Sequence, residues 1–306
     1  MNTVYVDSNV NDEIRRQRLY TGQLFVISPR PSTIALCEFA QRMIVEAFGS
    51  VDPREAQYHM PVEKYVAIVG PLKPQFIHNP ETKKLLRELV ADCGCDLNET
   101  YIDVPRLRMV TSDGYLTSGV GYAHHPHRDT WYSAPMAQLN WWLPIYGIES
   151  ESSMAFHPAY WSKGVQNGSS EFNYYVWNSE GRKNAAQHIK ADTRKQPKPQ
   201  EEIELNPQIR LIVPPGGVIV FSAAQVHSTV PNTSGRARYS IDFRTVNLAD
   251  LRAGSAAPNV DSHPVGTSLR DFVRGTDGAP MPEEVVQKYD NAPAAEGVLV
   301  YRPSEG

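Results

Sequence analysis

Hydrophobic and polar positions follow two different periods along the chain. Residues 33–48 carry apolar side chains at helical spacing, with Ser32 or Thr33 as the expected N-cap, and residues 81–93 repeat the pattern after Pro80. From Tyr101 onward the apolar runs are short and typical of strands, at 101–110, 116–123, 138–145, 154–157, 173–177, 209–213, 218–221 and 236–246. This order predicts an α+β fold with a jelly-roll core, that is, a double-stranded β-helix, and N-terminal helices packed on one sheet.

The same pattern predicts one domain over residues 1–306. It has a helical part at about 1–100, the jelly-roll core at about 101–250 and a tail at about 251–306, with short helices at Ser268–Arg274 and Pro282–Asp290. Residues 178–207 are polar and contain Pro197 and Pro199. We interpret them as an insertion between strands that serves as a lid ordered by substrate.

Composition narrows the possible partners. The chain has 306 residues, a formal net charge of -4 and a pI near 6.1, so it lacks the basic footprint of nucleic-acid binding. Its apolar runs are too short to span a bilayer, and the N-terminal residues lack a signal-peptide pattern. The 3 cysteines form no disulfide or zinc framework. We therefore expect a cytoplasmic protein whose partner is a small molecule.

Two histidines and an aspartate form the candidate chemical site. On a strand, residues i and i+2 point to the same side, so His127 and Asp129 could hold one ion, and His227 could supply a third ligand from another strand. Two imidazoles and one carboxylate are the facial triad of non-haem Fe(II). His-x-Asp is common by chance, but here His227 lies between a turn-and-strand unit and a returning strand that carries Arg238. A guanidinium at that place is suited to hold a carboxylate.

These motifs together resemble the phytanoyl-CoA dioxygenase family of Fe(II)/2-oxoglutarate oxygenases. The distal half of the likeness is 215–221 (PGGVIVF), His227, 231–234 (PNTS) and 238–240 (RYS). The proximal half is His127-x-Asp129, followed by 139–144 (LNWWLP) and an acidic turn. The likeness runs from about Tyr20 to Val246. The chain has Ser152-Ser153 and then 158–161 (PAYW) where the family usually has Asn-Gly and then Pro-Gly-Ser-His, so substrate contacts do not transfer.

The resemblance implies a specific division of roles. His127, Asp129 and His227 would bind Fe(II), while Arg238, helped by Ser240, would bind the far carboxylate of 2-oxoglutarate, with O2 as the oxidant. The reaction implied is hydroxylation, desaturation or cyclisation at an unactivated C–H bond, in bacterial secondary metabolism or amino-acid modification. The carboxylate of Asp129 disfavours halogenation, for which the superfamily replaces that ligand by a small residue.

Several neighbours of the triad remain open from sequence. The substrate candidates are Trp131, Trp141 and Arg108; strand alternation sends Trp141 and Trp142 to opposite faces, and the resemblance favours Trp141 for the cavity. Arg236 and Arg244 share the parity of Arg238, so alternation alone would also allow either of them to point inward. Arg106 shares a strand face with Arg108 and could also reach a carboxylate. The other nearby histidines are expected to be solvated, supporting or structural, and they are His124, His125 and His157. Among the three arginines, the sequence distance from His227 favours Arg238 as the residue that binds a carboxylate.

Two other functional classes fit the same residues. One is a cupin-like metal enzyme that does not use 2-oxoglutarate, which the Arg238-x-Ser240 motif disfavours and succinate release would exclude. The other is a non-catalytic binding module of the same fold, which the intact triad disfavours and which iron binding would test.

Overall fold

The strands lie in two sheets of unequal size. The computed structural model describes residues 3–116, 125–181 and 196–292. The strands in these ranges are β1 (Val4–Val6), β2 (Leu24–Ile27), β3 (Thr100–Ile102), β4 (Arg106–Val110), β5 (Leu139–Pro144), β6 (Met154–Phe156), β7 (Ile209–Arg210), β8 (Val218–Ser222), β9 (His227–Thr229), β10 (Arg238–Asn247) and β11 (Val273–Arg274). The larger sheet has the order β1-β2-β8-β5-β10-β3-β11, with β4 also on β10, and the smaller has the order β7-β6-β9.

The helices are concentrated in the N-terminal third. Those in the described residues are α1 (Asp12–Leu19), α2 (Pro31–Phe48), α3 (Val62–His78), α4 (Pro80–Asp92), the single turn α5 (Tyr174–Val176), α6 (Leu248–Ala253) and α7 (Glu283–Tyr289). None of them is long and apolar enough to cross a membrane.

Strand β10 shows how the two faces of the larger sheet differ. Tyr239, Ile241 and Phe243 are fully buried in the core that the sheet shares with α2, α3 and α4. The alternate residues are Arg238, Ser240, Asp242 and Arg244, and they lie on the opposite face. On that face β5 and β8 contribute Trp142, Ile219 and Phe221, which pack against Met154 and Phe156 of the smaller sheet. The space between the two sheets is therefore apolar around β5, β6 and β8 and charged along β10.

The two predicted N-terminal helices and the predicted helix at Pro282–Asp290 are present, with shifted bounds, whereas the helix predicted at Ser268–Arg274 is a 3-10 turn, Ser268–Asp271, followed by β11. Helix α2 begins at Pro31, two residues before the predicted start; Thr33 Oγ1 accepts a hydrogen bond from the backbone N–H of Arg30. Helix α4 is capped by Asn79, whose side chain accepts from the N–H of Glu81.

Helix α3 was missed because Pro71 and Pro74 lie inside it, and proline usually ends a helix. Its buried stripe of Tyr65, Val69, Leu72 and Phe76 has helical spacing. Packing of that stripe against the sheet outweighs the two prolines.

Two strand predictions are wrong. Residues 173–177 are helical, because the side chain of Asn173 accepts hydrogen bonds from the N–H groups of Tyr175 and Val176 and caps a turn. The run at 101–110 forms two separate strands, β3 and β4, which pair with different parts of β10. Most of the predicted strand at 116–123 lies outside the described residues. The tail contributes a strand as well as helices, since β11 pairs with β3.

The expectation that Trp141 serves the space between the sheets is met only in part, because its ring contacts lie in the core. Its ring stacks on Phe243 with centroids 5.5 Å apart, and its Nε1 donates to Thr245 Oγ1 at 2.9 Å. Both contacts lie in the core facing the helices, although residue 141 also borders the cavity. Trp142 instead lies on the inner face, where the Arg238 guanidinium sits 5.5 Å from its ring centroid.

Replacing Trp141 by Phe should therefore affect stability rather than ligand binding. The variant leaves the buried Thr245 hydroxyl without its donor and should lower the free energy of unfolding by about 1–3 kcal/mol. Urea denaturation measures this loss. An unchanged midpoint combined with altered ligand affinity would mean that Trp141, and not Trp142, serves the cavity.

Candidate metal centre and cavity

His127, Asp129 and His227 converge on one point between the sheets. One ligand atom from each lies within 4.8 Å of the others, and all three residues are buried. Asp129 Oδ1 lies 3.3 Å from Nε2 of His127 and 3.8 Å from Nε2 of His227. Two imidazole nitrogens and one carboxylate oxygen at these separations form a donor set that fits divalent iron.

A short antiparallel bridge brings the two histidines together. The backbone N–H of each donates to the carbonyl of the other at 3.0 Å, so the residues are direct cross-strand partners. Directly opposed side chains are neighbours on one face, and the two imidazole centroids are 4.4 Å apart. The pairing joins positions 100 residues apart in sequence, which neither local motif encodes alone.

Asp129 reaches the site by a route that strand alternation does not describe. It begins a 3-10 turn, Asp129–Tyr132, and its N–H donates to Ala223 O at 2.9 Å. The expectation that His127 and Asp129 share one strand face is therefore wrong, although both side chains do reach the same point. The turn bends the carboxylate toward the histidine pair.

Backbone carbonyls set the tautomer of both imidazoles. His127 Nδ1 lies 2.8 Å from His125 O, and His227 Nδ1 lies 3.0 Å from Gln225 O. A carbonyl only accepts, so each Nδ1 carries the proton and each Nε2 keeps its lone pair for the point that Asp129 faces.

Electrostatics keep the site in the protonation state that a metal needs. Burial, together with the neighbouring His127 and against the opposing effect of Asp129, lowers the pKa of His227 to about 3. Burial raises the pKa of Asp129, but the Arg244 guanidinium and the two histidines outweigh it, so this pKa lies well below its usual range. Neutral imidazoles and an ionised carboxylate are the ligand forms of these side chains.

A buried ion pair fixes the turn that carries the ligands. Arg128, between His127 and Asp129, donates from Nε to both oxygens of Asp261 at 3.0 Å. The remaining guanidinium nitrogens donate to the carbonyls of Tyr160, Lys163 and Ala224. Trp131 Nε1 donates to the same carboxylate at 2.8 Å. Trp131 therefore packs in the wall behind the site and does not line the cavity, so its prediction as a substrate contact is wrong.

Arg238 and Ser240 occupy the inner face of β10, and both are buried. Arg238 donates from Nη1 to Ser152 O at 3.1 Å, and it borders the cavity. Within the described residues, its Nε and the hydroxyl of Ser240 are buried without a hydrogen-bond partner. Burial lowers the pKa of Arg238 to about 10, with Arg108 adding to the effect and Asp242 opposing it. Unsatisfied buried donors are costly, so an anionic ligand would stabilise this corner.

The other arginines weighed from sequence take different positions. Arg236 is largely exposed and faces Glu55. Arg108 borders the cavity and donates from Nε to Asp242 at 2.6 Å. Arg106 is held by Asp103 at 2.7 Å.

Arg244 has a role that was missed. Its Nε donates to Asp129 Oδ2 at 3.2 Å. Its parity with Arg238 on one strand is the sequence signal that places it on the same face of β10.

The cavity around these residues has a volume of about 390 Å³. Its lining includes charged residues, which are Lys73 of α3, Asp103, and the arginines and Asp242 of β4 and β10, and it also includes aromatic residues such as Tyr132, Phe172 and Phe272. Tyr132 packs edge-on against the ring of His127 at 5.6 Å and against Phe172 at 5.4 Å. The aromatic residues of the cavity are thus in contact with His127, a candidate metal ligand.

The remaining histidines have supporting positions. His125 Nε2 lies 3.0 Å from Pro197 O, and His157 Nε2 lies 2.9 Å from Ser228 Oγ. His124 lies outside the described residues. So does most of the charged part of the predicted insertion, residues 182–195, while Gln196 borders the cavity.

Comparison of the sequence with models of protein families gives no match, and comparison with curated proteins gives none. Among solved structures, the chain is similar to the non-heme monooxygenase ThoJ at 15% identity and a TM-score of 0.43, covering 87% of this chain and 86% of that one. It is similar to EvdO2 from Micromonospora carbonacea var. aurantiaca complexed with 2-oxoglutarate at 13% identity and a TM-score of 0.44, covering 78% and 92%. The epimerase SnoN in complex with Fe3+, alpha ketoglutarate and nogalamycin RO matches at 13% identity and 0.40, covering 89% and 97%. At these values the similarities assign no function to this chain.

Replacing Asp129 by Ala should weaken Fe(II) binding by more than about 100-fold, since loss of a residue that merely supports a ligand already costs 10–100-fold. Anaerobic calorimetric titration with Fe(II) measures it. Asp271→Ala is the control, because Asp271 borders the cavity outside the cluster. Equal affinities for the wild type and Asp129→Ala would remove Asp129 from the metal site.

Replacing Arg128 by Met should cost about 3–5 kcal/mol of unfolding free energy, because it leaves the buried Asp261 carboxylate without its cation. The double variant Arg128→Met, Asp261→Asn should recover part of that loss in urea denaturation. Simple addition of the two single-variant effects would mean that the pair is not coupled.

Proposed function

We propose that this protein is an Fe(II)- and 2-oxoglutarate-dependent dioxygenase that oxidises an unactivated C–H bond of a small molecule, by hydroxylation, desaturation or cyclisation. The observation that carries the proposal is the convergence of His127, Asp129 and His227 in a cavity that also contains an arginine with an unsatisfied buried donor, Arg238. The first group fits a metal and the second fits the anionic end of a chelating acid.

The donor set supports iron as the metal. Two neutral imidazoles and a carboxylate suit a divalent transition metal, and ligands confined to one side leave positions for other molecules. The aspartate is retained at the position where a halogenating enzyme would have a small residue, so the site supports oxidation without halide.

The unsatisfied groups support 2-oxoglutarate as the cosubstrate. The long side chain of Arg238 lies over Trp142, which pairs with Asp242, only two residues along β10 from Arg244 at the metal centre. Arg238 and the three candidate metal ligands border the same cavity. A guanidinium and a hydroxyl, Ser240 Oγ, are suited to bind the distal carboxylate of a dicarboxylic oxo acid.

If bound together here, Fe(II) and 2-oxoglutarate would supply the activation of O2, with 2-oxoglutarate converted to succinate and CO2 and the second oxygen atom used to oxidise the substrate. The protein's own residues orient these partners. Arg238 and Ser240 fix the far end of the oxo acid, His127 and His227 present Nε2 toward the metal, and Phe221 packs 4.8 Å from the His227 ring and helps to exclude water.

The strand order supports the jelly-roll interpretation of the fold. The strands β4-β10-β5-β8 form one antiparallel set, while β7-β6-β9 extended by the His127 bridge form the facing set. Along the chain, successive segments of these two sets change sheet at every step except from β6 to β7, which pair with each other in the smaller sheet. This order is compatible with a double-stranded β-helix. The motif resemblance to the phytanoyl-CoA dioxygenase family is consistent with this order.

The charged and aromatic residues that line the cavity suggest a substrate that has an anionic group and a flat apolar part. Arg108 is 32% exposed at its side chain, and within the described residues its Nη1 makes no hydrogen bond, so it can donate to a substrate carboxylate. Tyr132, Phe172 and Phe272 border the same cavity and offer aromatic surface.

Succinate release tests the proposed function. The purified protein with Fe(II), ascorbate, O2 and 2-oxoglutarate should form succinate in amounts that depend on metal, and His227→Ala should abolish the signal. Iron binding without succinate formation across a substrate library would favour a cupin-like enzyme that does not use 2-oxoglutarate. Absence of iron binding would favour a non-catalytic module.

Arg238→Ala should weaken 2-oxoglutarate binding by on the order of 2–5 kcal/mol, because it removes a buried charge-assisted contact. Arg238→Lys should recover only part, since an ammonium lacks the planar fork. Isothermal titration of the metal-loaded protein measures both. Arg236→Ala is the matched control, since Arg236 precedes β10 by two residues and is largely exposed. An equal loss in the control would mean that Arg238 is not the carboxylate partner.

A further inference from the structure

The two oxygens of Asp129 lie in different environments. Oδ1 faces the Nε2 atoms of both histidines, at 3.3 Å and 3.8 Å. Oδ2 is held on the other side, where it accepts from Arg244 Nε at 3.2 Å and from Gln138 Nε2 at 3.4 Å. The carboxylate therefore presents one oxygen to the candidate metal point and has the other engaged by protein donors.

Arg244 is itself fixed in place. Its Nη1 contacts Asp103 Oδ2 at 3.3 Å, its N–H donates to Asp103 Oδ1 at 2.8 Å, and its carbonyl accepts from the Asp103 N–H at 3.0 Å. Asp103 is almost fully buried and is also bound by Arg106. The guanidinium thus has little freedom to leave Oδ2, because backbone pairing and a buried carboxylate both determine its position.

We infer that Arg244 is a positioning residue that restricts Asp129 to one oxygen in the metal's coordination sphere. The inference rests on the proposed metal site. A carboxylate can bind a metal through one or both oxygens. In six-coordinate geometry, three single-atom protein ligands leave three positions, and a second aspartate oxygen would reduce them to two. A chelating oxo acid together with one diatomic molecule needs all three.

Arg106 provides a matched control. It belongs to the same buried cluster through Asp103, and within the described part of the chain it makes no hydrogen bond or ion pair with Asp129. Arg106→Met removes the same kind of side chain from the same cluster. It should therefore reproduce any general loss of packing or charge without freeing Oδ2.

The experiment counts open metal positions in the whole protein. Wild type, Arg244→Met and Arg106→Met are loaded anaerobically with Fe(II) and titrated with 2-oxoglutarate, followed by the visible absorption of a 2-oxo acid chelated to Fe(II). Nitric oxide is then added and its iron complex is followed by electron paramagnetic resonance. In Arg244→Met we expect 2-oxoglutarate affinity to fall by about tenfold or more. We also expect nitric oxide to displace 2-oxoglutarate, whereas the wild type and Arg106→Met bind both together.

Arg244→Lys and thermal unfolding of the metal-free proteins separate positioning from folding. An ammonium can still donate to Oδ2, so Arg244→Lys should keep simultaneous binding with a smaller loss of affinity, and it decides the question if Arg244→Met does not fold. Simultaneous binding in Arg244→Met, or displacement in Arg106→Met as well, would overturn the inference. Failure of the wild type to bind Fe(II) or to give the absorption would instead overturn the proposed function.

Discussion

The pairing of His127 with His227 is the constraint on which the rest of the site depends. Two reciprocal backbone hydrogen bonds of 3.0 Å place the imidazoles side by side, and carbonyls two residues upstream of each orient both rings. The 3-10 turn that begins at Asp129 places its carboxylate beside the two imidazoles. Arg128 holds that turn against Asp261, so the ligand geometry is fixed from behind by a buried ion pair.

Strand β10 carries both the stability and the chemistry of the larger sheet. Its odd-numbered residues from Tyr239 to Phe243 fill the core under the helices, while Arg238, Asp242 and Arg244 line the cavity with charge. Burying arginines costs free energy unless partners compensate. Arg244 and Arg108 are compensated by aspartates, whereas Arg238 keeps an unsatisfied donor. Arg238, whose Nε has no hydrogen-bond partner among the described residues, is thus the residue proposed to bind an anionic ligand.

Sequence reasoning reached the ligand triad because its residue types and strand context are local. It placed Asp129 on a strand, placed Trp131 in the cavity, and preferred Trp141 to Trp142 for the inner face. Strand alternation describes regular strands, whereas a 3-10 turn and the choice between sheet faces depend on tertiary contacts. Arg244 was missed because its partner lies 115 residues away. The apolar spacing of helix α3 is helical, but Pro71 and Pro74 argued against a helix in that segment.

The most direct test of the account is a crystal structure of the protein grown anaerobically with Fe(II) and 2-oxoglutarate. The account predicts anomalous iron density between His127, Asp129 and His227, with 2-oxoglutarate chelating that iron and its distal carboxylate on Arg238. Iron bound elsewhere, or a distal carboxylate bound by Arg108 or Arg244 with Arg238 uninvolved, would contradict it.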